Sequence, residues 1–101
     1  MQFEAITYAG GGVQVTAGAA SANVALPQTT SGKTARYIGV QTVAGTYAYV
    51  KFGKDNTVTA SSADAPVTSN EMRIFNVTGQ SYIAYIQDTA AAKINIIPIE
   101  F

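Results

Sequence analysis

The segment Tyr47–Phe52, which reads Tyr-Ala-Tyr-Val-Lys-Phe, decides how this sequence is interpreted. Successive side chains of a β-strand point to opposite faces of the sheet, so every second residue shares a face. The alternation over these six residues therefore predicts a half-buried strand. Its buried face carries Ala48, Val50 and Phe52, and its outer face carries Tyr47, Tyr49 and Lys51.

Short segments of the same kind follow one another on both sides of this strand, separated by turn residues such as Gly10–Gly12 and Gly53–Asn56. A polar loop is predicted from Ala60 to Asn70, with a brief pairing before it at Thr57–Thr59. The other predicted strands are Phe3–Tyr8, Val13–Thr16, Ala22–Leu26, Arg36–Val43, Met72–Val77, Tyr82–Gln87 and Lys93–Phe101.

The composition agrees with an all-β chain. Nine Ile, nine Val and twelve Thr stand against a single leucine, Leu26. Branching at Cβ restricts the side chain in a helix and suits a pleated sheet. We expect residues 1–101 to form one antiparallel β-sandwich or jelly-roll-like barrel of about seven to nine short strands, with residues 1–12 as an arm or edge strand.

The alternation slips in the last predicted strand. Ile94 and Ile96 share one face, whereas Ile97, Ile99 and Phe101 share the opposite face. Two explanations remain open at this point. Either both faces of the strand are buried, or Pro98 lies at an edge or a bulge.

Several classes of function lack the residues that they need. The chain has no Cys and no His, which excludes disulfides, thiol nucleophiles and imidazole metal ligands. Six basic residues balance six acidic ones, so neither nucleic acid nor an anionic membrane is an expected partner. The start of the sequence does not resemble a secretory signal, and we expect synthesis in a cytoplasm.

Motifs that suggest chemistry are weak. Ser31–Thr34 resembles the end of a phosphate-binding loop, but Pro27 stands where that motif needs glycine, and a strand follows instead of a helix. The carboxylates fall in turns or near strand ends, where solvated acids are common, and Asn76–Thr78 matches a glycosylation sequon within a predicted strand. We therefore predict no enzyme activity, no catalytic residue, no cofactor and no metal.

The stripe formed by Tyr47, Tyr49 and Lys51 is the strongest surface signal. Tyrosine is enriched in protein interfaces because it adds contact area at little entropic cost. Packing within the chain and stacking of a small ligand are the alternatives. We predict a protein interface made by these residues, with an N-terminal arm of Met1, Gln2 and Phe3.

Three segments resemble small virion proteins of tailed bacteriophages, in particular capsid decoration, or cement, proteins. The first is Ala25–Pro27 leading into Arg36–Ile38. The second is Ala48–Gly53 with the Ser/Thr/Ala-rich stretch 57–64, and the third is Ile74–Val77 with Tyr82–Gln87.

This resemblance implies a structural role without catalytic residues. The expected function is that of a head decoration protein on the capsid surface of the virion, binding over joints between capsid subunits and stabilising the shell. The expected partners are the major capsid protein and further copies of this chain in a homo-oligomer. The alternatives are a neck, tail or head-fibre component in low copy number, or a carbohydrate-binding β-sandwich module.

Overall fold

The computed structural model describes residues 7–8, 11–28, 35–45 and 47–100, and every regular element in these ranges is a β-strand. The strands are β1 (Thr7–Tyr8), β2 (Val13–Ala17), β3 (Ala22–Ala25), β4 (Tyr37–Ala44), β5 (Ala48–Gly53), β6 (Ala65–Val67), β7 (Arg73–Asn76), β8 (Tyr82–Gln87) and β9 (Ala92–Glu100).

These strands form two antiparallel sheets that pack as a sandwich. In the first sheet the order is β1-β9-β4-β7, with β2 also paired to β9 beyond the end of β1. In the second sheet the order is β3-β8-β5-β6. The predicted all-β sandwich is confirmed.

The pairing follows one simple scheme. Strand β5 pairs with β6, β4 with β7, β3 with β8, and β2 with β9, so the chain resembles one long antiparallel ribbon whose tip is the β5–β6 connection. Folding this ribbon over places β9 beside β4 and β8 beside β5. Strands that follow each other along the chain therefore lie mostly in opposite sheets, which is the jelly-roll arrangement.

The core lies between the inward faces of the two sheets, where β-branched residues dominate. The alternation predicted for Tyr47–Phe52 is observed, because Ala48 and Val50 are fully buried and Phe52 packs against the core. The largest fully buried members of the core are Ile38, Val40, Val50, Val67, Val77, Ile83, Ile94 and Ile96.

Strands β6 and β7 close one side of the sandwich. The Arg73 guanidinium donates to the Pro66 carbonyl oxygen at 2.8 Å and lies 5.0 Å from the centre of the Phe75 ring. The Phe75 ring in turn packs 5.2 Å from that of Phe52 in the opposite sheet. Arg73 lies directly opposite buried Val40 and therefore projects on the inner side of the edge strand β7. An inward-pointing charge on an edge strand disfavours pairing with a strand from another molecule.

The slip in the alternation of β9 reflects burial on both faces near the end of the strand, where Pro98 and Ile99 are both buried. Ile94 and Ile96 point into the core, whereas Ile99 is fully buried without belonging to the core cluster. Ile99 instead lies over Gly39, where an added Cβ atom would be 2.7 Å from its Cδ1 atom and 2.5 Å from the Met72 sulfur.

Pro98 is also buried, although it lies in a central strand. The pairing of β9 with β1 stops at Ile99, and its pairing with β2 stops at Ile96. Pro98, which has no N–H group, therefore lies between the part of β9 that pairs with β1 and the part that pairs with β2.

Some predicted elements differ from the observed ones. The polar stretch 60–70 contains strand β6, which the prediction missed because Pro66 and the short length concealed it. Residues Thr57–Thr59 form no strand; the Asn23 side chain bonds to the nearby carbonyl oxygens of Asn56 and Val58 instead. Residues 3–6 of the predicted first strand and Phe101 lie outside the described residues.

Candidate functional site

The predicted interface residues of β5 lie on the outer face of the second sheet. Tyr47, immediately before the strand, is 49% exposed, Tyr49 is half-buried and Lys51 is exposed. The alternation therefore placed all three side chains on the correct side of the sheet. Met1, Gln2 and Phe3, the predicted arm, lie outside the described residues.

Neighbouring strands extend this surface into a row. Tyr49 lies directly opposite Pro66 of β6 on one side and directly opposite Ile86 of β8 on the other. Directly opposite residues in an antiparallel sheet have their Cβ atoms about 5 Å apart and project on the same side. The row Pro66–Tyr49–Ile86 is therefore a mainly apolar strip across three strands, and with Tyr47 and Lys51 it forms what we name the β5 face.

Tyr49 is held in place by an acidic neighbour. Its phenolic hydroxyl donates to Asp88 Oδ1 at 3.0 Å, since Asp88 follows β8 one step beyond the residue opposite Ala48. This hydrogen bond is the largest cause that raises the pKa of Tyr49 above its ordinary value of 10.0, followed by partial desolvation and the negative charge of Asp88. Tyr49 is consequently a neutral hydrogen-bond donor at physiological pH.

A depression of about 430 Å³ adjoins the β5 face at its Tyr47 end. The Asp88 amide donates to the Tyr47 carbonyl oxygen at 3.2 Å, which continues the β5–β8 ladder by one pair. On the opposite side, Ala48 pairs with Val67, so Thr68 comes next to Tyr47 in the same register. The residues that line the depression are Gly45, Tyr47, Thr68, Ser69, Asn70, Asp88 and Thr89.

One wall of the depression is fixed to the first sheet through three successive carbonyl groups. The Thr42 hydroxyl donates to the Val67 oxygen at 3.3 Å, and the Thr42 amide donates to the Thr68 oxygen at 3.1 Å. Gln41 Nε2 donates to the Ser69 oxygen at 3.0 Å. The backbone of residues 67–69 is therefore hydrogen-bonded to β4.

Other acidic residues serve the local turns in which they occur. Asp55 accepts from the amide and the hydroxyl of Thr57, which lowers the pKa of Asp55 below its usual value of 3.8. Asp64 Oδ2 accepts from the Ser61 amide at 2.7 Å. The part of the chain that the structure describes contains no group of three or more side chains suited to holding a metal ion.

Two weak motifs remain: the glycosylation sequon Asn76–Thr78 and the phosphate-loop-like segment Ser31–Thr34. Asn76 Oδ1 accepts from the amide of Thr78 at 3.0 Å and from its hydroxyl at 2.8 Å, so the sequon residues form an Asx-turn at the end of β7. Ser31–Thr34 lies outside the described residues.

Sequence reasoning missed the partners that surround the two tyrosines. The alternation of β8 continues through Ile86 to Asp88, and this pattern could have placed Asp88 on the outer face beside Tyr49. Thr68, Ser69 and Asn70 could not be found in this way, because their place beside Tyr47 depends on the missed strand β6.

Comparisons with known proteins identify no relative: no family model, no curated protein and no solved structure matches this chain. Among the residues that the structure describes, no helix is long and apolar enough to cross a membrane.

Proposed function

We propose that this chain is a non-enzymatic structural protein of a tailed-phage virion, a head decoration protein that binds over joints between capsid subunits and stabilises the shell. Its partners are the major capsid protein and further copies of the chain. The β5 face is the contact surface. The observation that carries the proposal is the row Pro66–Tyr49–Ile86, an apolar strip displayed on a rigid sheet.

The geometry of this row favours a protein partner. Tyrosine, proline and isoleucine present a continuous apolar surface, while the phenolic hydroxyl of Tyr49 keeps its own partner in Asp88. Interfaces concentrate apolar and aromatic residues at their centre and leave charged groups at the rim. Lys51 and Asp88 lie at the margins of the strip, where they provide such a rim.

The closed side of the sandwich favours docking through a face over docking through a strand edge. On the open side of β6, the carbonyl oxygens of Pro66 and Thr68 accept hydrogen bonds from the first sheet. Strand addition beside β6 would have to break these bonds. A contact through the β5 face leaves them intact.

Two general properties agree with a role in a shell. Jelly rolls occur in viral capsid and lectin domains, although a fold by itself does not decide function. The formal charge of zero removes long-range repulsion between many copies on one surface. Repeated weak contacts then add up through avidity.

The test is the stoichiometry of the chain in density-banded phage particles, measured by quantitative mass spectrometry against the major capsid protein. A copy number comparable with that of the capsid protein, or a simple fraction of it, supports a shell-covering role. A handful of copies per particle contradicts that role and places the chain at the neck, the tail or a head fibre. Absence from the particle contradicts any role in the virion.

A variant experiment then tests the face itself. The double substitution Tyr47→Ser with Tyr49→Ser removes its two aromatic rings, and we expect the protein to stop co-sedimenting with capsids. Ile74→Ser is the matched control, because Ile74 is an exposed apolar residue, 41% accessible, on the other sheet. Equal loss of binding in both proteins would contradict the assignment.

A further inference from the structure

We propose that the depression at the Tyr47 end of the β5 face is a binding site for uncharged oligosaccharides. Its volume of about 430 Å³ lies within the range of small-molecule sites, about 300 to 1,000 Å³. The inference concerns the loops beyond β5 and does not depend on attachment to a capsid. Four of its features lead to this class of ligand.

The first feature is an accessible aromatic ring. Tyr47 is 49% exposed and lines the depression. The C–H groups on one side of a sugar ring form an apolar surface that packs on an aromatic ring, as other apolar groups do. Because the Tyr47 backbone is fixed by the hydrogen bond from the Asp88 amide, the ring is carried by an ordered segment.

The second feature is the supply of hydrogen-bonding groups around that ring. Thr68, Ser69, Asn70 and Thr89, whose side chains carry hydroxyl or amide groups, line the same depression. Such groups donate and accept at once, as the hydroxyl groups of a sugar also do. A ligand that is apolar throughout would leave them without partners at a cost in affinity.

The third feature is the carboxylate of Asp88. Its Oδ1 atom accepts from Tyr49, and no donor among the described residues occupies Oδ2. An ionised carboxylate only accepts hydrogen bonds, so Oδ2 selects a ligand that donates, such as a sugar hydroxyl. Among the described residues that line the depression, Asp88 is the one charged residue, and it repels anionic ligands such as nucleotides or sulfated glycans.

The fourth feature is preorganisation. Hydrogen bonds from Thr42 and Gln41 tie the carbonyl groups of residues 67–69 to β4, and the backbone N–H of Asn70 donates to Thr68 Oγ1 at 3.2 Å. A site whose groups are already ordered loses less entropy when a ligand binds. This makes a shallow site sufficient for weak, specific recognition.

The test is titration of the complete chain with maltohexaose, cellohexaose and chitohexaose, followed by calorimetry and by amide NMR shifts. Saturable binding of at least one of these probes is expected, with shifts at residues 45, 47, 68–70 and 88–89. Tyr47→Ala should weaken that binding by roughly tenfold or more, the loss of a packed aromatic contact. Asp88→Asn should weaken it by several-fold, because the amide is a poorer acceptor.

Lys51→Ala is the matched control. Lys51 lies on the β5 face but not in the depression, so its replacement should leave sugar binding unchanged. Asn70→Ala is the second variant, since it alters the wall without touching β5, and it should also weaken binding. Retained near-ultraviolet circular dichroism in each variant shows that the fold persists.

Three results would overturn the proposal: no binding of any of the three sugars, binding that Tyr47→Ala leaves unchanged, or a preference for heparin or a proline-rich peptide over all three. A chain that binds sugar but is absent from phage particles would contradict the capsid role and leave the sugar site intact. Conversely, an Asn70→Ala chain that still co-sediments with capsids but binds sugar more weakly supports two separable functions, because Asn70 lines the depression and is not part of the β5 face.

Discussion

The hydroxyl group of Thr42 in β4 donates to the carbonyl oxygen of Val67 in β6, and this bond of 3.3 Å joins the two sheets within the protein interior. Thr42 is fully buried. A hydrogen bond within a protein contributes about 0.5–1.5 kcal/mol net to stability, and Val67 still pairs with Ala48 of β5 when the Thr42 hydroxyl is removed. We therefore expect Thr42→Val to lower the free energy of unfolding in urea by about that amount.

The control for this prediction is Thr16→Val. Thr16 lies exposed on β2, where valine has a good strand preference, so the change should stay within about 0.5 kcal/mol. Equal stability of the two variants would show that the bond between Thr42 and Val67 contributes nothing.

Val67, the acceptor of this bond, lies in β6, the strand that the sequence analysis missed. Local alternation predicted β5 and β8 well, since each strand has one face in the core, and it placed Tyr47, Tyr49 and Lys51 on the outer side. Strand β6 has three residues, one of them proline, which is too short for any period to be read. Its existence depends on partners that are distant along the chain.

The candidate site divides in the same way. Tyr47 belongs to a regular strand pattern and could be singled out from the sequence. The loop 68–70 reaches Tyr47 only because β6 pairs with β5 and because Thr42 and Gln41 hold the carbonyl groups that follow. Such long-range pairing has no local signal, so the depression could not be predicted.

A pair of glycines tests the packing around the β4–β5 connection. Gly45 and Gly79 both have positive φ angles, +92° and +86°, which cost an alanine about 1–2 kcal/mol. An added Cβ atom at Gly45 would also lie 2.6 Å from the Ala91 carbonyl oxygen, whereas nothing lies within 4 Å at Gly79. We expect Gly45→Ala to destabilise the protein clearly more than Gly79→Ala in urea unfolding. Equal losses would mean that the backbone near Ala91 moves away freely.

The position of the core is tested by a second pair of substitutions. Ile94 is fully buried between the sheets, while Ile74 on the edge strand β7 is 41% exposed. Ile94→Ala should lower the free energy of unfolding by about 2–5 kcal/mol, because it removes buried contacts and leaves a cavity. Ile74→Ala should change it by less than about 0.5 kcal/mol. The opposite order in thermal or urea unfolding would place the core on the wrong side of the first sheet.

Acid sensitivity is expected from the turn after β5. The two hydrogen bonds from Thr57 lower the pKa of Asp55 in the folded chain below its usual value of 3.8. A lowered pKa gives stability that is fully present above 3.8 and is lost as the pH falls through the folded-state value. Asp55→Asn removes this titration, so its urea midpoint should fall less steeply with acidification than that of the unaltered chain. Glu71→Gln removes one exposed carboxyl elsewhere and serves as the control; identical slopes for all three proteins would contradict the prediction.

Alkaline titration examines the contact between Tyr49 and Asp88 at the centre of both proposals. The hydrogen bond to Asp88 is the largest cause of the raised pKa of Tyr49, and repulsion from Tyr47 is the smallest. In an NMR titration of the tyrosine rings, Asp88→Asn should therefore move the pKa of Tyr49 down towards 10.0 by more than Tyr47→Phe does.

Because the folded-state pKa of Tyr49 is raised, the stability from its contact with Asp88 is fully present below pH 10.0 and is lost as the pH rises through the folded-state value. A Tyr49 that titrates alike in the unaltered chain and in Asp88→Asn would show that the contact does not persist in solution, and both the β5 face and the depression would then lose their common anchor.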